Sequence, residues 1–195
     1  MKLKTPVFRV SYPESLFEGK PDKHGKPVYS LNMIFDTGEI AKDPEQQKLF
    51  KALLAAIDQV GKDAFPGKKI PPLVKKGEDK TDASGNRVDG YADGTVWWTA
   101  RTKVKPAIVP ANNTKARITD PQELYAGCYA HATVIVKDWT YQEEGGVRTY
   151  GVRTMLCNVQ KVKDGVPFSS AGSPEDDFDA LTVEPDVMTA DDLIA

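Results

Sequence analysis

Histidine and cysteine are scarce in this chain. Two residues of each type occur among the 195: His24, His131, Cys128 and Cys157. The cysteines form no CxxC pair, and the one histidine close to either of them, His131, does not complete a set of metal ligands, so no metal site is expected. Each lies in a strand-like run, which favours two reduced thiols in the core.

Motifs of the common catalytic sites are also missing. The sequence has no phosphate-cradling glycine-rich motif, no HExxH and no GxSxG. These absences predict a protein that is not an enzyme and carries no cofactor. Acidic residues scattered through the loops leave a metal-dependent nuclease as an alternative, because such carboxylates converge only in three dimensions.

Long apolar runs are absent as well. No stretch approaches the ~20 residues that span a bilayer, and the first residues lead into no signal-peptide core. We therefore expect a soluble, intracellular protein without a membrane partner.

Basic residues are missing from one end of the chain. No Lys or Arg follows Lys163, whereas residues 164–195 contain nine of the 28 acidic residues. Residues 1–163 hold all 26 basic residues against the remaining 19 acidic ones, so this part carries a net charge of +7 and the rest −9. The split is typical of a polyanion-binding body with an acidic interaction tail. The boundaries predicted here are a domain over 1–173 and a largely disordered tail over 174–195.

The most informative stretch is GYADGTVWWTARTKVKPAIVP, residues 90–110. Its glycines and prolines bound a strand, and successive strand residues point to opposite faces. One face is expected to be core: Val96, Trp98, Ala100, Thr102 and Val104. The other combines an aromatic ring with cations: Trp97, Thr99, Arg101, Lys103 and Lys105. Bases stack on rings and phosphates pair with cations, so this face indicates single-stranded nucleic acid.

The other segments predict a mainly β protein. Further strands are expected over 6–12, 28–35, 125–140 and 149–162, with a hairpin turn at 143–146. One helix is expected over 43–61, capped by Asp43 and Pro44, and residues 66–90 form a long loop. Five strands and one helix fit a five-stranded antiparallel β-barrel of the OB-fold type, and a β-sandwich is the alternative.

An ordered set of short motifs carries a family resemblance. The motifs are RVSYP at 9–13, PL..KGE at 72–78, GY at 90–91, KP at 105–106, YAGCYAHA at 125–132, LCNVQKVKDG at 156–165 and DDF at 176–178. In this order they resemble the single-stranded DNA-binding proteins of tailed bacteriophages, over about residues 9–178. The resemblance implies an OB fold and binding of single-stranded DNA in phage replication or recombination, in the host bacterial cytoplasm.

The faces of the strands, rather than the resemblance, supply the candidate DNA-binding residues. Trp97 and Tyr129 are expected to stack on bases, with Trp98 in the core; if the faces are reversed, Trp98 stacks and Trp97 is buried. Phosphate contacts are expected from Arg101, Lys103, Lys105 and Arg153. Further candidates are Tyr12, Tyr91, His131 and Trp139.

The end of the chain suggests a protein partner. Its last residues, Asp191, Asp192, Leu193, Ile194 and Ala195, are similar to the acidic, apolar-tipped tails through which such proteins recruit replication proteins. They lack the terminal Pro-Phe of the bacterial form. A tail that only solubilises the protein is the alternative, and a non-enzymatic phage protein-interaction module is the alternative for the whole chain.

Overall fold

Strands dominate the structure, a computed structural model that describes residues 1–142 and 145–168. Nine strands occur in these ranges: β1 (Lys2–Lys4), β2 (Phe8–Ser11), β3 (Lys20–Pro21), β4 (Pro27–Asp36), β5 (Lys75–Lys76), β6 (Thr95–Thr102), β7 (Ala107–Val109), β8 (Tyr129–Gln142) and β9 (Arg148–Lys163). The helices are α1 (Glu14–Phe17), α2 (Thr37–Lys42) and α3 (Pro44–Ala64), with short 3-10 turns at Gly77–Asp79 and Pro121–Glu123. The predicted acidic tail, 174–195, lies outside the described residues.

The pairing of five strands returns to its starting point. β2 pairs with β4, β4 with β6, β6 with β9, β9 with β8, and β8 again with β2. These are the five strands expected from the sequence. The expectation that they are all antiparallel is wrong, because β6 and β9 run parallel at Ala100–Thr154 and Arg101–Met155.

The core lies on the inward side of this ring. Phe35 stacks on Trp98 with ring centroids 4.5 Å apart, and Phe50 of α3 lies 5.6 Å from Phe35. Trp98 is 1% exposed, which confirms its predicted place in the core. Val104, also predicted as core, is 76% exposed because β6 ends at Thr102.

Helix α3 begins as its sequence predicts and ends three residues later than expected. The Asp43 side chain accepts hydrogen bonds from the backbone N–H groups of Glu45 and Gln46, and Pro44 occupies the first turn, where its missing N–H costs nothing. Among the described residues, no helix combines the length and apolar character required to cross a membrane.

A bulge changes the side-chain pattern of β9. Thr133 pairs with Asn158 and Val134 with Leu156, so Cys157 is an extra residue. The strict alternation of an unbroken strand therefore fails after Leu156. Val159, which that alternation places on the face of Cys157, is instead fully buried in the core.

Candidate nucleic-acid interface

Three exposed cations lie on neighbouring strands on the outer face of the sheet. Lys137 of β8 and Arg153 of β9 are directly opposite each other. Arg101 of β6 pairs with Met155, two residues from Arg153. Cβ atoms of diagonal neighbours in a sheet are about 7–8 Å apart or less, so the three charges share one small area. None of them forms a salt bridge within the described ranges.

The lack of neutralisation matters because like charges directly opposite in a sheet are destabilising. The Lys137–Arg153 pair thus costs stability in the isolated chain and favours the approach of an anion. A chain of phosphates is an anion that contacts several such side chains at once.

Trp139 adds an aromatic ring to the same face. It pairs with Gly151 on β9, two residues from Arg153. A Cβ atom at Gly151 would lie 2.9 Å from the indole Nε1, so the ring occupies the space that the missing side chain leaves open. The indole is partly exposed, whereas the other two tryptophans are buried. We call Arg101, Lys137, Trp139 and Arg153 the cationic face.

The loop between β2 and β4 lies against the end of β8 and the residue that follows β6, next to the cationic face. Lys23 donates a hydrogen bond to the Tyr141 hydroxyl at 2.8 Å, and its Nζ lies 4.4 Å from that ring centroid. Lys103, a predicted phosphate contact, forms a salt bridge of 3.2 Å with Asp22. Backbone N–H groups of Lys26 and His24 lower the pKa of Asp22 to about 2, so it stays ionised beside Lys103.

Trp97 is not the exposed stacking ring that was predicted. It does lie on the face opposite Trp98, but it is only 8% exposed. Residues 75–91, which we call the cover loop and which begin with β5 beside β6, enclose it: Tyr91 packs edge-on at 5.3 Å, and the Nζ atoms of Lys75 and Lys80 lie 5.1 and 5.3 Å from the ring centroid. The indole Nε1 donates to the carbonyl of Lys76 at 3.1 Å. The prediction that Trp97 faces solvent is therefore wrong, and so is its alternative, because Trp98 is buried as well.

Tyr91 fastens the cover loop to the sheet. Its hydroxyl donates to Ser11 of β2 at 3.0 Å and accepts from the side-chain amide of Asn32 on β4 at 2.8 Å. Thr99 of β6 donates to Asn32 at 2.7 Å. Burial raises the pKa of Tyr91, which is 2% exposed. Tyr91, which was predicted to contact DNA, therefore has a structural role instead.

Tyr12, another predicted contact, is accessible and has an unusual backbone. It is 47% exposed, and its φ of 54° is the one positive value among the described residues other than glycine. Such a conformation costs about 1–3 kcal/mol and occurs preferentially at functional sites. The Nζ atom of Lys80 lies 5.9 Å from the Tyr12 ring centroid, so a cation and an exposed ring adjoin here too.

The remaining candidates lie away from the cationic face. Tyr129 is half-buried, and its ring centroid lies 5.3 Å from the guanidinium of Arg9 and 4.6 Å from the Nζ of Lys163. Arg9 also lies over Phe168 at 4.3 Å and donates to the carbonyl of Gly127. Tyr129 is therefore part of a fixed ring–cation stack.

The last predicted residues have mixed positions. Lys105 is exposed, but it lies beyond the end of β6. His131 is half-buried in a separate cleft. The partner-binding residues Asp191, Asp192, Leu193 and Ile194 are outside the described residues.

The described part of the chain brings no three His, Cys, Asp or Glu side chains into a group that could hold a metal ion. Both cysteines are free, and burial raises the pKa of Cys128 to about 11, which makes it an unreactive thiol at neutral pH.

Sequence reasoning missed Lys137, Lys23 and Tyr141. The alternation of β8 already placed Lys137 on the side of Trp139. Its position opposite Arg153 requires the register of the β8–β9 hairpin. The Lys23–Tyr141 contact joins residues 118 positions apart, and no local pattern predicts it.

Known proteins resemble this chain in sequence and in fold. The family model described as Enterobacter phage Enc34, ssDNA-binding protein, matches residues 1–188. A structure of the single-stranded DNA-binding protein from bacteriophage Enc34 in complex with ssDNA has a TM-score of 0.62 and 21% identity, over 86% of this chain and 89% of that chain. Another structure of that Enc34 protein has a TM-score of 0.60 and 21% identity, over 90% and 88%. A structure of its C-terminal truncation has a TM-score of 0.60 and 20% identity, over 86% of this chain and 88% of that chain. A comparison with curated proteins found no match. Since the family model spans nearly the whole sequence, the chain belongs to the Enc34 ssDNA-binding protein family.

Proposed function

We propose that the protein binds single-stranded DNA without strong sequence preference and that the cationic face is the centre of the binding surface. The observation that carries the proposal is the group of three exposed cations, which have no acidic partner among the described residues, around a partly exposed indole. Rings accept any base by stacking and cations follow the phosphates, so such a surface binds single strands of varied sequence. Family membership supports the same ligand.

The fold assignment belongs to this proposal. The cyclic pairing of β2, β4, β6, β9 and β8 supports a five-stranded barrel of the OB type, in which ligands bind across a strand face and the loops beside it. The cationic face lies on such strands. The loop of Lys23 and the β8 end at Tyr141 then form one border of the groove.

We also propose that the protein acts without catalysis on phage replication or recombination intermediates in the cytoplasm of the host. In this proposal residues 1–173 form the DNA-binding domain and the acidic segment 174–195 recruits replication proteins through Asp191, Asp192, Leu193 and Ile194. The charge difference between the two segments supports the division. The recruitment proposal is tested by affinity capture of replication proteins with the full chain and with a chain that ends at Ser173. Equal capture by both contradicts it.

Fluorescence anisotropy of a labelled, unstructured oligo-dT tests the binding proposal. The full-length protein is expected to bind, with an affinity that falls steeply as salt rises, because each neutralised phosphate contributes about −0.7 to the log–log slope for single strands. Binding of oligo-dT that is undetectable at low salt contradicts the proposal and favours a protein-interaction module. Metal-dependent cleavage of the oligonucleotide would instead favour a nuclease.

A further inference from the structure

A separate cleft of about 440 Å³ lies on the outer side of β8 and β9. Its polar lining comes from several segments and includes Lys4, Arg117, His131, Thr133, Asn158 and Gln160. Apolar residues of β7, Ala107 and Val109, complete the wall. The volume is within the range of small-ligand sites, and no Asp or Glu is among the lining residues.

The β9 bulge builds this cleft. In a strand without the bulge, strict alternation after Leu156 would turn Asn158 inward and Val159 outward. The bulge reverses this, so that Val159 enters the core and Asn158 is exposed. Gln160, the next residue on the same face, then also lines the cleft.

The polar groups of the cleft keep hydrogen-bonding capacity. The Asn158 amide has no hydrogen-bond partner in the described ranges. Gln160 donates to the carbonyl of Ala111 at 3.2 Å, and its own side-chain oxygen accepts no hydrogen bond from the residues that the structure describes. His131 Nδ1 lies 3.1 Å from the carbonyl of Thr5, which can only accept, so Nδ1 carries the proton and Nε2 is an acceptor.

Two cations give the cleft a positive charge. Lys4 and Arg117 are exposed, and neither forms a salt bridge with the acids that the structure describes. The Nη1 atom of Arg117 donates to three carbonyls of its own loop, and its other nitrogens stay available. Burial and the charge of Lys4 lower the pKa of His131, so that its ring is neutral at neutral pH.

The cleft continues the cationic face along the same two strands. The pair Lys137–Arg153 is followed on the same face by Ile135–Met155 and then by Thr133–Asn158. Along β8, Thr133 is four positions from Lys137, a distance of about 13 Å at the usual rise of a strand. A strand of DNA lying along β8 and β9 can therefore reach both.

We propose that this cleft is a second subsite that binds one nucleotide of the bound single strand, an inference that rests on the function proposed above. Lys4 and Arg117 contact its phosphate. The amides of Asn158 and Gln160 face the base edge, because an amide presents a donor and an acceptor side by side, as base edges do. The subsite lengthens the occupied stretch of DNA and gives the protein a modest base preference.

The test is the double variant Lys4→Ala/Asn158→Ala, studied by anisotropy with oligonucleotides of increasing length. Both side chains are exposed. We expect the log–log salt slope to fall by about 0.7 and the affinity for long oligonucleotides to fall about tenfold. Affinity should also stop rising at a shorter oligonucleotide length, and the differences among oligo-dA, oligo-dC and oligo-dT should shrink.

The control is Lys51→Ala, which removes an exposed charge from α3, and thermal melts check that each variant folds. If the double variant melts early, Lys4→Ala alone still has to lower the salt slope. A double variant with wild-type slope, length dependence and affinity overturns the cleft proposal alone. A wild-type chain that binds no single-stranded DNA overturns the proposed function, and the subsite with it.

Discussion

The two ends of the outer face of β6 differ in what lies over them. Around Trp97 the cover loop buries the sheet, and Tyr91 fastens it to β2 and β4. Around Arg101 the face is exposed and continues onto Arg153 and Lys137. Strand alternation turns Trp97 and Arg101 to the same side, yet one residue is structural and the other is available to a ligand. The path of the cover loop, rather than the strand pattern, decides this.

The difference has an energetic reason. Burying a large apolar side chain contributes about 1.5–3 kcal/mol, so covering Trp97 stabilises the fold. Covering Arg101, Lys137 and Arg153 would remove three charges from water, and no acid in the part of the chain that the structure describes pairs with them, so this would be costly. The chain therefore covers the aromatic end and leaves the charged end open.

The largest effect on stability is expected at the covered end. Trp97→Ala should lower the free energy of unfolding by about 3–5 kcal/mol, since it removes a buried ring and the contacts of the cover loop. Chemical denaturation measures this change. A Trp97→Ala protein of wild-type stability that binds oligo-dT poorly would show that the two ends have been assigned the wrong way round.

The open end should respond in binding instead. Replacing Arg101, Lys137 and Arg153 together by alanine should reduce the log–log salt slope by about 2 and the affinity roughly hundredfold at ~0.1 M salt. The free energy of unfolding should stay at its wild-type value or rise, because the Lys137–Arg153 repulsion disappears. Three exposed lysines elsewhere, Lys48, Lys51 and Lys62, provide a charge-matched control on α3. Equal loss of affinity in both triple variants would show that the cationic face acts only through the net charge of the protein.

Tyr91→Phe tests the fastening of the cover loop. The change removes one hydroxyl and leaves the Asn32 amide hydrogen and the Ser11 hydroxyl without this partner in a buried position. We expect a loss of about 1–3 kcal/mol in unfolding free energy. DNA affinity of the folded protein should stay at its wild-type value. Tyr29→Phe, for which the structure gives no side-chain hydrogen bond, is the matched control, and equal melting shifts for the two variants would speak against the network.

Gly151→Ala should produce the smallest change. The new Cβ atom would meet the Trp139 indole at 2.9 Å, so the ring has to move off β9. Affinity for oligo-dT should fall, by less than in Trp139→Ala, where the loss is on the order of 1–3 kcal/mol. Anisotropy titration compares the two variants. Wild-type affinity in Gly151→Ala would mean that the position of the indole over β9 is unimportant for binding.

Local patterns predicted much of the fold. Alternation placed Trp98 and Ala100 in the core, and the Asp43–Pro44 cap located the start of α3. The parallel pairing of β6 with β9 was missed because no local pattern specifies which strands become neighbours. The bulge at Cys157 was missed because one extra residue leaves no distinct signature in a run of mixed side chains.

The candidate site was predicted less completely, for a related reason. Arg101, Arg153 and Trp139 do share one face, which is consistent with the alternation of side chains along each of their strands. Trp97 and Tyr91 were misplaced because residues 66–90 have no periodicity from which a path over the sheet can be read. Exposure of a side chain depends on what folds over it, and that is a tertiary property.

The most direct test uses the intrinsic fluorescence of the three tryptophans. Trp97 and Trp98 are 8% and 1% exposed, so a change of signal on binding should come from Trp139. Oligo-dT should quench the wild-type protein. In Trp139→Phe the quenching should vanish, while anisotropy of labelled oligo-dT still reports binding, because phenylalanine preserves a ring on the cationic face. Undiminished quenching in Trp139→Phe would place the bases against another tryptophan and contradict the account.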